Sequence, residues 1–245
     1  MILARYADRP DLRERRDGLL DVWPEFLHHN AMGSRYWARL YAEHPAFQLA
    51  LLDGDELVGE LHSLPLAWTG ELDDLPAGWD EAFERAFGSG RVPDSLCAVA
   101  IAVRPDRQGS GVGSAALDAM REAGRADGLR DLIAPVRPTL KSRYPLIPIE
   151  RYLRWRRDDG SHFDPWIRLH VRLGGRIVAA VPHSMRIAGS VADWESWTEM
   201  EYPESGEYVF PRGLATLHVD READEGLYWE PNVWIVHRAV PSDPA

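Results

Sequence analysis

Apolar and polar residues alternate in short runs along this chain, broken by a few continuous apolar stretches, and the two patterns predict different elements. "ILARYA" (residues 2–7) reads as a short strand, and "PDLRERRDGLLDVWPEFL" as one helix followed by another that starts after the break at Pro24. "AFQLALLDGDELVGELHSLPLAW" (46–68) holds two apolar runs around Asp53-Gly54-Asp55. That is a hairpin signal, because Asp-Gly supplies the positive φ a tight turn demands. Residues 70–94 form an acidic insertion carrying a short amphipathic helix. "SLCAVAIAV" is apolar almost throughout, as expected of a strand buried on both faces. It feeds into "VRPDRQGSGVGSAALDAMR", whose helix runs from Gly113 to about Ala126, and "LRDLIAPVRP" then reads as another buried strand. Strand, glycine loop, helix and strand make a βαβ unit, which places a parallel pair at the centre of the sheet.

Beyond Pro138 aromatic and arginine residues interleave, up to a helix that starts near Asp164 or Pro165. Asp164 suits the N-cap, Pro165 the first turn, and Gly174-Gly175 the stop. "RIVAAVP" is the strand that follows, and two more lie in "GEYVFPRGLATLHVD" and "YWEPNVWIVHR". With no repeat, heptad or long polar linker, the expectation is a single domain over residues 1–245. The insertion at 70–94 and the region after 138 are expected to shape the acceptor side.

Composition narrows the function classes. A hydrophobic fraction of 45% with 27% charged residues is ordinary for a globular enzyme. The net charge of −11, with no basic block, argues against a nucleic-acid surface. "ERYLRWRR" (150–157) interleaves basic and aromatic residues, but a short helix lining an anionic mouth accounts for it more economically than RNA. The single cysteine, Cys97, fits a reducing compartment, and no run approaches the length of a membrane span. With no signal-like N-terminus, a cytoplasmic protein is expected. His28-His29 lacks a carboxylate at zinc-site spacing, so no metal is expected.

The loop "RQGSGVGS" carries the chemistry. It lacks the Gly-Lys-Ser/Thr of a P-loop, and its glycines, spaced by two, miss the dinucleotide pattern. What it spells is Gln108-Gly109-Ser110-Gly111-Val112-Gly113. Glycines there let successive N–H groups converge at a helix N-terminus, whose partial positive charge suits a pyrophosphate.

Q-x-x-G-x-G after a strand ending in V-x-P, here Val103 to Pro105, resembles the signature of the GNAT superfamily of acyl-CoA-dependent transferases. The resemblance covers most of the chain. It implies an α/β fold with a central mixed, mostly antiparallel sheet, splayed at its middle strands and flanked by helices. It further implies that the backbone of residues 108–114, through Ser114, holds the pyrophosphate of acetyl-CoA or another acyl-CoA. Ile101, Ala102 and Val103 would meet the pantetheine as an added strand does.

"LHVRLGGRIV" falls where this superfamily usually has a tyrosine four residues before a glycine, the acid that protonates the leaving thiolate. Here that position is His170. Imidazole titrates near neutrality and both donates and accepts a proton, whereas a phenol with a pKa of about 10 chiefly donates. Trp166 shares its helical face, so simple packing is the competing account. Tyr144 and Tyr152 are the next acids to consider. "FDPWIRLHVRLGGRIV" also resembles a branch with D-P-x-x-R-x-H that includes GNAT-like decarboxylase and S-acyltransferase domains. By that resemblance Thr139 points toward the thioester and Arg186 pairs with a substrate carboxylate; a helix N-cap and a surface arginine are the plainer accounts. Glu60, on the hairpin strand, is a candidate base, and Trp155 a candidate wall of the acceptor pocket.

The leading expectation is acyl transfer to a small-molecule amine or similar nucleophile by a monomer or homodimer. The alternatives are malonyl-type decarboxylation with or without transfer to an acyl carrier protein, and non-catalytic acyl-CoA binding.

Overall fold

The computed structural model describes residues 1–238, and its centre is the strand–loop–helix–strand unit. β4 (Ser95–Val103) leads through the loop to α3 (Val112–Ala126) and on to β5 (Asp131–Val136), which pairs parallel to β4. Side chains of β4 alternate between two cores: Cys97 and Val99 join one, Leu96 and Ala98 the other. An unbroken apolar run is what burial on both faces requires.

Around this pair the sheet is antiparallel. β1 (Ile2–Arg5), β2 (Gln48–Asp53) and β3 (Glu56–Leu66) extend it from β4, with the β2–β3 turn at Gly54 at φ +60°. On the other side β9 (Glu225–Arg238) is shared among three strands. One of its edges carries β5 at residues 233–238 and β8 (Leu217–Asp220) at residues 225–228. β6 (Arg176–Gly189) also pairs with it antiparallel, and β7 (Gly206–Tyr208) completes the sheet beyond β8. α1 (Ala31–Glu43), α2 (Trp79–Gly88) and α6 (Val191–Thr198) pack on one core, and α3, α4 (Ile149–Tyr152) and α5 (Pro165–Arg172) on the other.

Two irregularities matter for the site. The β4–β5 ladder ends at Cys97↔Ile133, although β4 runs on to Val103, so the central strands part there. Between the pairs His62↔Ala100 and Ser63↔Ala98, Val99 is an extra residue on β4. Such a bulge takes one residue out of the ladder and re-aims its neighbours.

The expected helices within residues 10–27 are instead three short 3-10 turns over Pro10–Glu14, Leu20–Val22 and Glu25–His29. Pro10, Gly18 (φ +78°) and Pro24 interrupt the run, and Leu12, Leu19 and Phe26 are buried without needing a continuous helix. The regular helix comes later, at α1, where the Asn30 side chain accepts from Gly33 N at 2.7 Å. Neither α1 nor α6 is evident in the apolar pattern.

Candidate active site

The glycine loop has the form its composition implies. Gly109 and Gly111 sit at φ +80° and +95°, a region L side chains rarely adopt, and a Cβ at either would meet open space. Gly111 is the N-cap of α3 with no capping side chain, so the first-turn N–H groups of a 15-residue helix point outward unpaired. That cradle fits a pyrophosphate. Gly113 has a different role: a Cβ there would meet Trp166 at 3.1 Å and Leu169 at 3.2 Å, so its bareness brings α5 against α3.

From the parting of β4 and β5 a cavity of about 710 Å³ opens. One side is lined by Ala98–Ala102 of β4 with Ala134–Val136 of β5, and α5 supplies Trp166 and His170. The facing wall comes chiefly from residues 13–41, including Arg13, Arg16, Trp37 and Tyr41, a segment the apolar pattern did not connect with function. The insertion contributes Trp79, whose indole donates to Val99 O at 2.9 Å and holds the bulge.

His170 is 1% exposed and packs edge-on against Trp166, with ring centroids 4.6 Å apart. Its Nδ1 lies 2.9 Å from His237 Nε2 on β9, its Nε2 is buried with no partner in the protein, and the residue lines the cavity. Burial first, then the neighbouring His237, hold its pKa far below the usual imidazole range. The near-neutral titration expected of this residue is thereby corrected: the ring is neutral at physiological pH. One ring of the pair must donate to the other, so a proton on His170 Nε2 requires donation from His237 Nε2.

Glu60 also faces the cavity, buried at 3%. It accepts from Tyr6 OH and from both Nε and Nη2 of Arg16, the latter at 3.0 Å. With three donors upon it, this carboxylate is occupied. The remaining candidates lie elsewhere. Thr139 is exposed and is not among the residues lining the cavity, and the adjacent turn is capped at Leu140 instead. Arg186 is exposed and bonded to Glu225 at 3.3 Å. Trp155 packs among Tyr144, Tyr152 and Phe163, 4.8–5.5 Å between centroids. Tyr152 OH donates to Asp164 at 2.8 Å and is fully buried.

Residues that sequence reasoning missed complete the site. His62, Arg13, Arg16 and Tyr41 all line the cavity, and His62 Nε2 and Tyr41 OH are buried without a protein partner. An alternating hairpin strand gave a signal for Glu60 that applied equally to His62, two residues on and therefore on the same face. Among the described residues no group of three His, Cys, Asp or Glu is placed to hold a metal ion, and no helix is long and apolar enough to cross a membrane.

A glycine loop at a helix N-terminus, parted central strands and a buried histidine beside them thus come together around one cavity. The acetyltransferase (GNAT) family model matches residues 14–146. Arginine N-acetyltransferase avaD of Aspergillus versicolor is 30% identical over 268 aligned positions, covering 94% of this chain and 91% of that protein. The chain belongs to the GNAT acetyltransferase family, and an acyl-CoA is its co-substrate. Among solved structures, the loading GNATL domain of CurA from Lyngbya majuscula has the same fold, with a TM-score of 0.61 at 18% identity, covering 97% of this chain and 96% of that one. The GphF GNAT-like decarboxylase, in complex with isobutyryl-CoA, gives 0.59 at 18% identity with 97% of each chain covered.

Proposed function

We propose that the protein moves a short acyl group from CoA to the primary amine of a small molecule, with arginine the first acceptor to test. The observation that carries this is the cavity, which joins the open edge of β4 to a polar and aromatic wall with His170 among its lining residues. The 30% identity to an arginine N-acetyltransferase across nearly the whole chain supports the acceptor class. Trp37 supplies an aromatic wall for a cationic side chain, and Arg13, stacked 3.9 Å over the Tyr41 ring, supplies donors to a carboxylate.

Backbone N–H groups at the β4 bulge are suited to stabilise the oxyanion as the amine attacks the thioester carbonyl. His170 Nε2 delivers the proton that sulfur needs as the carbon–sulfur bond breaks. Giving up that proton would leave the neutral ring as imidazolate, so its delivery to sulfur is coupled to the proton that the attacking amine loses. The decarboxylase alternative would gain support from Thr139 facing His170 across the thioester; Thr139 is exposed and outside the cavity lining, so that support is absent.

The test is steady-state thiol release from acetyl-CoA with L-arginine. His170→Ala should lower kcat by roughly a hundredfold or more, the usual scale for a positioned acid or base, with the dissociation constant for acetyl-CoA unchanged by calorimetry. Full activity in the variant would make His170 a packing residue, and carbon dioxide release from malonyl-CoA by the wild type would favour the decarboxylase instead.

A further inference from the structure

His62 lies on β3 opposite Ala100, beside the Val99 bulge, and its ring is 2% exposed. Its protonation pattern is fixed by a neighbour that is itself fixed. The Gln48 side-chain nitrogen donates to two backbone carbonyls, His44 O and Ser63 O, each at 2.9 Å. Carbonyls only accept, so the amide cannot be turned around. The Gln48 oxygen is therefore the atom 3.0 Å from His62 Nδ1, and an amide oxygen can only accept. His62 Nδ1 must carry the hydrogen, which leaves Nε2 of the neutral ring bare. That bare nitrogen is buried and has no partner in the protein, on a residue that lines the cavity.

From this geometry we propose that His62 Nε2 is the proton acceptor for the attacking amine, a catalytic site distinct from His170. The inference rests on the acyl-transfer function proposed above and assigns its base. As the amine nitrogen bonds to the acyl carbon, one proton leaves nitrogen for His62 Nε2. The carbon–sulfur bond breaks and one proton reaches sulfur from His170, so the protein's proton count is unchanged and the two rings re-equilibrate through the cavity. Glu60 stands two residues away on the same face and stabilises the imidazolium, while Arg16 and Arg13 oppose it. Tyr6 stacks on the ring at 6.0 Å, and Trp37 and Tyr41 meet it edge-on at 5.0 and 5.6 Å. Burial pushes its pKa down to about 4, which keeps the nitrogen bare at neutral pH. Glu60, the other candidate base, has its oxygens occupied by Tyr6 and Arg16.

Two measurements on the full chain test this. In long-range ¹H–¹⁵N spectra of ¹⁵N-histidine-labelled protein at neutral pH, the resonances lost in His62→Asn should show a protonated Nδ1 and a bare Nε2. A protonated Nε2 would overturn the proposal whatever the activity. In the second, thiol release from acetyl-CoA is followed with L-arginine and with hydroxylamine, whose low basicity leaves it unprotonated at neutral pH and makes the nitrogen of its adduct acidic enough to lose its proton to water. His62→Ala and His62→Asn, the latter keeping a donor toward Gln48, should lower kcat for L-arginine by about 100-fold or more and leave the hydroxylamine rate and the KM for acetyl-CoA unchanged. Equal loss with both nucleophiles, or no loss with either, would show that His62 only shapes the cavity. A wild type that acetylates hydroxylamine but not L-arginine would instead remove arginine as the acceptor, with the spectra still deciding His62.

Discussion

Gly111 stands at φ +95° with open space where a side chain would go, so what its substitution removes is backbone geometry and not a contact. Gly111→Val forces a β-branched residue into the left-handed region at the point where phosphate approaches the N–H groups of α3. CoA affinity measured by calorimetry should fall at least tenfold while the far-ultraviolet spectrum stays that of the folded protein. Unchanged affinity would mean the pyrophosphate lies elsewhere. Gly113, two residues on, should respond in the opposite sense: Gly113→Ala presses on Trp166 and Leu169 at 3.1–3.2 Å and displaces α5, so turnover should suffer more than CoA binding. The motif reads as one unit in sequence, yet a side chain at Gly111 would meet open space and one at Gly113 a neighbouring helix.

A single element can carry part of a site by being fixed at its start, and α5 shows how. One oxygen of Asp164 caps it by accepting from Trp166 N and Ile167 N, at 3.0 and 3.2 Å. The other accepts from Leu140 N and Tyr152 OH, each at 2.8 Å. Asp164→Ala removes the cap and strands two further donors, costing roughly 2–4 kcal/mol by chemical denaturation, whereas Tyr152→Phe should cost about 1 kcal/mol. A loss below that of Tyr152→Phe would show that water replaces the carboxylate. This helix was legible because its signals, Asp-Pro at the start and Gly-Gly at the end, are local. So were the hairpin and the βαβ unit. The wall of the cavity was not, because its logic is pairwise and distant: Arg16 meets Glu60 across 44 residues, and His170 meets His237 across 67. Lys141, the only lysine, was equally opaque; it is buried at 1%, donating to the carbonyls of Tyr144 and Leu214 as a clamp between segments. The helices mistakenly expected over residues 10–27 fail for the same reason: Leu12, Leu19 and Phe26 answer to a tertiary surface and not to a helical period.

Across the whole molecule the buried histidines set its response to acid. His62 and His170 are held neutral, with folded pKa values below the unfolded value of about 6.5. The unfolded chain therefore binds more protons, and stability is fully present above about pH 6.5 and lost as the pH falls toward the folded values. The urea midpoint should decline from pH 6.5 to 4.5, and His62→Asn should flatten that slope by about one proton. An identical slope in variant and wild type would mean that His62 is charged when folded. One feature of the sheet also bears on the order in which the protein is made. β9 pairs with β5 and β8, pairs with β6 as well, and carries Asn232 into the cavity and His237 onto His170. During translation α5 emerges long before that strand, so a nascent chain holds His170 without its partner and β5 with one edge bare. On the proposed mechanism acyl transfer waits until β9 has joined the sheet, and the onset of activity then reports the closing of that edge.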